Sequence, residues 1–203
     1  MKKQTLTWLF CIALALGFSA CNSTNSSKKE SNETTINLWK TTNSNLITPT
    51  SIAGVEVFGK TPEKVKEYLN SALTWEDGQV YNGETLLVIF GYDSGVIEDA
   101  TFFDSSFVTK EGIRVGSTSG DLLQVYPNAK VLRISYGEHY SIELTYIGDE
   151  GITYYYDWDE NGTVGEYAHS ADGDDYEEVS QIVNKNVSIS YIQIEFDENG
   201  NGD

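Results

Sequence analysis

The chain has 203 residues and a formal charge of −18, with 31 acidic side chains against 13 lysines and arginines. That balance disfavours nucleic acid and anionic headgroups as partners, because phosphate recognition needs clustered cations; it suits solubility, a basic partner or cations. Hydrophobic residues make up 39% of the chain and aromatic ones 12%, which is enough for one compact domain or two small fused ones.

In chain order, Lys2 and Lys3 precede a mostly apolar run from Leu6 to Phe18. About 20 apolar residues are needed to span a bilayer, so this run is too short. With small residues behind it, the segment 1–20 reads as a cleaved secretory signal. The run Phe18-Ser19-Ala20-Cys21 resembles a bacterial lipobox, in which the chain is cut before the cysteine and its thiol and new amino group are acylated. Phe18 stands where leucine is commoner, and this looser form resembles the lipoprotein signals of Bacteroidetes. The resemblance implies a palmitate-type anchor at Cys21. Two or more acyl chains hold a protein at a membrane where one is marginal. Cys11, the other cysteine, falls in the removed segment, so the mature chain has no internal disulfide to form. Removal of the signal takes two lysines and no acid, leaving the mature chain at −20.

Residues 21–51 are rich in Asn, Ser, Thr, Lys and Glu, with Ile36, Leu38 and Trp39 as sparse apolar positions. Such a segment buries too little to offset its ordering entropy and is expected to be a tether. Surface-displayed Bacteroidetes lipoproteins carry acids just after the cysteine. Here Asn22, Ser23, Thr24 and Asn25 follow and the first acid is Glu30, which by the same resemblance places the protein at the outer membrane, facing the periplasm.

Two later stretches match. Residues 54–69 read GVEVFGKTPEKVKEYL and residues 112–126 read GIRVGSTSGDLLQVY; each is a short apolar strand, a glycine turn, a threonine cap and a helical pattern. Thr61 before Pro62 is a cap and first-turn pair, and Val65, Tyr68, Leu69, Ala72 and Leu73 fall on one helical face. Thr118 and Asp121 have capping-box spacing, and Pro127 ends the second helix. Strands are expected after each: Leu86 to Phe90, Val96 to Phe103, then Leu132, Ile134 and Tyr136 alternating with polar residues, and likewise Tyr140, Ile142, Leu144 and Tyr146. Ile152 to Trp158, Val179 to Val183 and Val187 to Phe196 complete the set. In the last, the apolar phase slips between Tyr191 and Ile192, which predicts a bulge or burial on both faces. The expectation is an α+β fold of two tandem units, 52–108 and 109–197, each a helix followed by antiparallel strands, with helices on one face of a curved sheet and a disordered tail at 198–203.

Gly112, Val115, Gly116, Thr118, Leu122 and Tyr126, with a weaker copy at Gly54, Val57, Gly59, Thr61, Val65 and Tyr68, resemble the signature of beta-lactamase-inhibitory-protein-like domains, shared by the SmpA/OmlA envelope lipoproteins. The resemblance implies a non-enzymatic binding role and transfers no catalytic residue.

Asp157-Trp158-Asp159-Glu160-Asn161-Gly162 matches the first half of a calcium loop, where alternate oxygens converge on a hard cation. Position twelve is Ala168, not glutamate, and Asn161-Gly162 is also a hairpin turn; both readings stand, with Asp157, Asp159 and Asn161 as candidate ligands. The stretch 172–178 reads as a solvated acidic loop. His139 and His169 lack a second ligand at zinc spacing, and no serine sits in a nucleophile elbow. Gly116 to Gly120 superficially suggests a phosphate loop, but no lysine follows. Tyrosine and tryptophan favour binding surfaces, and Tyr154, Tyr156 and Trp158 share one strand face, Tyr140 and Tyr146 another; core packing is the competing reading. The chain is therefore expected to be a lipid-anchored, non-catalytic envelope protein that engages another protein through these tyrosines. The alternative is a calcium- or glycan-binding lipoprotein.

Overall fold

The computed structural model describes residues 37–42, 44–135, 141–146, 151–156, 163–167 and 176–195. Apolar runs broken by glycine turns form β1 (Leu46–Thr48), β2 (Ser51–Ile52), β3 (Thr74–Glu76), β4 (Gln79–Asn82), β5 (Thr85–Asp93), β6 (Val96–Phe102), β7 (Val108–Thr109), β8 (Lys130–Ser135), β9 (Ser141–Tyr146), β10 (Ile152–Tyr156), β11 (Tyr176–Gln181) and β12 (Ile189–Glu195). Nine of them make one sheet in the order β11-β8-β9-β10-β12-β6-β5-β4-β3, and β2-β1-β7 make a second, small one. Every pairing in the large sheet is antiparallel.

The expected α+β layering is not what the chain adopts: the protein is mostly β. Among the described residues its helices are α1 (Pro62–Lys66) and α2 (Ser119–Val125). At about 1.5 Å per residue they are roughly 8 and 10 Å long, against a sheet roughly 38 Å across at about 4.8 Å per strand spacing. Helices of that length cannot form a layer.

The first helix is short for a local reason. Thr61 caps it and Pro62 opens it as expected. Residues 68–70 then leave the helical path to pair with the entering chain: Lys40 N–H donates to Tyr68 O at 3.0 Å, and Asn70 N–H to Leu38 O at 2.9 Å. Val65 and Leu69 are buried all the same, at 0% and 7% exposure. In α2 the capping box forms: Thr118 N–H donates to Asp121 Oδ2 at 2.8 Å and Asp121 N–H to Thr118 Oγ1 at 3.1 Å.

Two further sequence boundaries are crossed. Leu38 and Trp39, placed by composition in a tether, are core residues at 0% and 1% exposure, and Trp39 Nε1 donates to Ile52 O at 2.6 Å. The sheet also runs straight through the boundary at 108 and 109, because β6 pairs with β12.

On one side, here the inner side, a single row crosses all nine strands: Trp75, Val80, Val88, Phe102, Ile192, Tyr154, Thr145, Val131 and Ser180. Its members from Val80 to Ile192 share one hydrophobic cluster with Trp39, Ile47, Val65, Phe107 and Leu122. Thus α1, α2 and the small sheet all contribute to sealing the inner side. Phe90 stacks on Trp75 at 5.2 Å, and Phe107 packs against Phe102 at 4.8 Å between ring centroids.

Candidate functional site

The two sequence repeats hold equivalent positions at the centre of the sheet. Gly59 N–H donates to Ile97 O of β6 at 2.9 Å, and Gly116 N–H donates to Ile189 O of β12 at 2.8 Å. Both glycines have left-handed backbone, φ 71° and 86°, which any other residue adopts only at a cost. Each turn leads into a threonine-capped helix. The strands then run from the sheet margin inward, β3-β4-β5-β6 on one side and β8-β9-β10-β12 on the other, with β11 added outside β8. The β6–β12 seam therefore relates the two halves approximately by a twofold axis, with Ile97 corresponding to Ile189.

Counting outward from that pair exposes a difference on the outer side of the seam. Two residues on, the first half has Asp99 where the second has Tyr191; six on, it has Phe103 where the second has Glu195. Asp99 and Glu195 lie opposite each other across the ladder. Phe103 and Tyr191 meet at 5.6 Å, and Tyr191 stacks on Tyr155 of β10 at 4.4 Å. In the first half, the place of Tyr155 opposite the strand is taken by Gly91, which pairs with Asp99. The Asp99 carboxylate fills the space that a side chain at Gly91 would need.

From Tyr155 the outer row continues through Leu144, Leu132 and Val179 on successive strands. Val179 is 60% exposed and the others are half-buried. None of Phe103, Tyr191, Tyr155, Leu144, Leu132 or Val179 belongs to the core cluster or packs against it. They form a separate apolar row on the outer side. Four residues along β6 and β12 from Phe103 and Tyr191, at right angles to the row, lies the acidic pair: burial, then the Glu195 charge, pushes the Asp99 carboxyl up to about 6. Tyr155 donates its hydroxyl to Gln193 at 2.8 Å, and Gln193 in turn bonds Asp99, so the aromatic and acidic ends are joined by hydrogen bonds.

The inner side of the second half is unexpectedly polar. Arg133 and Glu143 face each other on β8 and β9, with Glu178 beyond Arg133 on β11; Arg133 and Glu143 are 4% and 1% exposed. The Tyr167 ring lies 4.8 Å from the Arg133 guanidinium. Glu143 accepts Val164 N–H at 2.7 Å, while Ser180 Oγ accepts Glu166 N–H at 3.0 Å. These bonds fasten residues 163–167 over the cluster. Burial raises the Glu143 carboxyl above its ordinary value, and the Val164 N–H works the other way. Burial likewise pushes up the Tyr167 hydroxyl, followed by Glu143 beside it.

Tyr154 and Tyr156, expected on a binding face, lie on the inner side at 0% and 3% exposure. Thr145 donates its hydroxyl to the Tyr156 oxygen at 3.0 Å, and burial pushes the Tyr156 hydroxyl up to about 12. The sequence reading missed Tyr155, one residue away, together with Tyr191 and Phe103. The available signal was the phase slip near Tyr191; the irregularity lies between Ile189 and Tyr191, opposite Tyr155 and Tyr156. Tyr146 pairs through its backbone with Lys130 and Thr153. Cys21, Tyr140, Asp157, Trp158, Asp159 and Asn161 lie outside the described residues. Among the described residues no group of His, Cys, Asp or Glu is placed to hold a metal ion, and no helix is long and apolar enough to cross a membrane.

No protein-family model matches the chain, and no curated protein does. Among solved structures it is similar to the crystal structure of the uncharacterized protein YfeY from Escherichia coli, at 16% identity and a TM-score of 0.41, over 76% of this chain and 99% of that one. A likeness of that size carries no argument about fold or function.

Proposed function

We propose that this chain is a lipid-anchored, non-catalytic binding module of the bacterial envelope. It is held through Cys21 at the outer membrane, faces the periplasm and engages another envelope protein over the outer side of its sheet. The observation that carries the reading is the apolar row from Phe103 to Val179. It adds nothing to the core, and the first half, built on the same turn and helix, places Gly91 and Asp99 where the second places Tyr155 and Tyr191. Apolar side chains that a fold does not need for its core mark interaction sites. Tyrosine suits the task, since a large rigid ring loses little entropy on binding.

The test is in-cell crosslinking of the full lipoprotein followed by purification and mass spectrometry, with Cys21→Ser and Leu132→Ser, Leu144→Ser as separate variants. One dominant envelope partner is expected, lost in both variants. A partner that survives the outer-side substitutions would remove this surface from the reading. A Cys21→Ser protein that stays membrane-bound would remove the anchor.

A further inference from the structure

We propose that the outer side of the sheet binds a basic polypeptide segment, with apolar side chains on the Phe103–Tyr191–Tyr155–Leu144–Leu132 row and a lysine or arginine between Asp99 and Glu195. This rests on the binding-module reading above and names the chemistry of its partner.

Charge is the first argument. Residues 77–203 hold 25 acids and five lysines and arginines, a charge of −20, whereas residues 21–76 hold six of each. All the net charge of the mature chain thus belongs to the part that carries this surface. Two copies meeting face to face would bring those charges together, which disfavours a homodimer and favours a cationic partner. On one flank of the row run Lys130, Thr153, Gln193 and Thr101, and on the other Ile134 and Ile142 widen its apolar part on β8 and β9.

Geometry is the second. Asp99 and Glu195 sit directly opposite each other, an arrangement that destabilises a ladder when the charges are alike. The charges acting on Asp99 are Glu195 from β12 and Glu98 from its own strand, both negative, while its hydrogen bonds come from Gly91 of β5 and Gln193 of β12. A cation placed there would be attracted by both carboxylates. Asp99 lies four residues from Phe103 on one strand and Glu195 four from Tyr191 on the other. That is roughly 13 Å along the strand and at right angles to the row, so the matching segment turns at Phe103 and Tyr191 and carries its cation about four residues from that anchor.

The experiment places a photo-crosslinking residue at Val179 or Lys130 of the full lipidated chain in cells, with Lys110 as a control site, and maps the crosslinked segment of the partner by mass spectrometry. A single segment containing at least two lysines or arginines interleaved with apolar residues is expected. The crosslink should fall at least tenfold in Glu195→Lys, which supplies Asp99 with a cation of its own and so keeps the protein folded. A neutral or acidic crosslinked segment, or full retention in Glu195→Lys, would overturn this inference and leave the binding module standing. Absence of any partner at all sites would overturn both.

Discussion

The two halves of this sheet use the same glycine turn and the same capped helix, and then spend their side chains differently. In the first half the inner side is apolar throughout, with Val80, Val88 and Phe102 fully buried, and at the seam the outer side shows Gly91, Asp99 and Thr101. In the second half polar groups enter the inner side at Arg133, Ser135, Glu143 and Thr145, all buried. Apolar ones face outward at Leu132, Leu144, Tyr155 and Tyr191. A shared backbone plan therefore does not dictate which face is apolar. The first half shows what the fold requires, and the departures of the second half are what call for a function.

The largest effect should come from the inner side at the seam. Phe102→Ala removes a fully buried ring packed on Phe107 and should cost about 4 kcal/mol in urea unfolding. A loss below about 1 kcal/mol would mean that the seam is not the common core of the two halves.

Next comes the polar inner corner of the second half. Arg133→Met strips the buried Glu143 of the guanidinium facing it and should cost about 3 kcal/mol. The double variant Arg133→Met, Glu143→Leu should recover most of that loss, because the fully buried carboxylate is removed together with its partner and only the half-buried Glu178 is left. If the double is as unstable as the single, Arg133 acts through packing on Tyr167 and not through its charge.

Smaller still is the acidic pair of the outer side. Asp99 is raised from 3.8 to about 6 in the folded protein, so the folded state binds its proton more tightly than the unfolded chain. Its contribution to stability is fully present below about pH 4 and is lost as pH rises through 6. Asp99→Asn should flatten that decline and leave the variant about 2 kcal/mol more stable at pH 7, a figure reduced for partial exposure to water. Parallel denaturation curves for the two proteins between pH 4 and 7 would show that burial and Glu195 do not act as described.

The smallest stability effect belongs to the outer row of the second half. Leu144→Ser should change stability by less than about 1 kcal/mol, since the side chain adds nothing to the core cluster, while abolishing the crosslink to a partner. A loss comparable to Phe102→Ala would show that the outer row is a second core, and the contrast between the halves would collapse.

Local signals in the sequence were read correctly where the chemistry is local. The threonine caps, Pro62 at the helix start and the matching glycine turns each depend on a few adjacent residues, and they appear in place. Helix length did not follow, because Tyr68, Leu69 and Asn70 have an equally good pairing with residues 38–40, some thirty positions earlier. The acidic pair was illegible for the same reason: Asp99 and Glu195 are nearly a hundred residues apart and meet only through the seam.

By itself, the sequence determined the acidic charge, the lipobox-like Cys21, the two repeated turns and the alternation of most strands, all properties of short stretches. Only the tertiary structure decided that nine of the strands, drawn from both halves, form one sheet, and which parity of each strand faces inward. An alternating strand carries two interchangeable faces until a neighbour buries one. At β8 the neighbours bury Val131, Arg133 and Ser135 and turn Leu132 and Ile134 outward, so the residues that looked like core became surface.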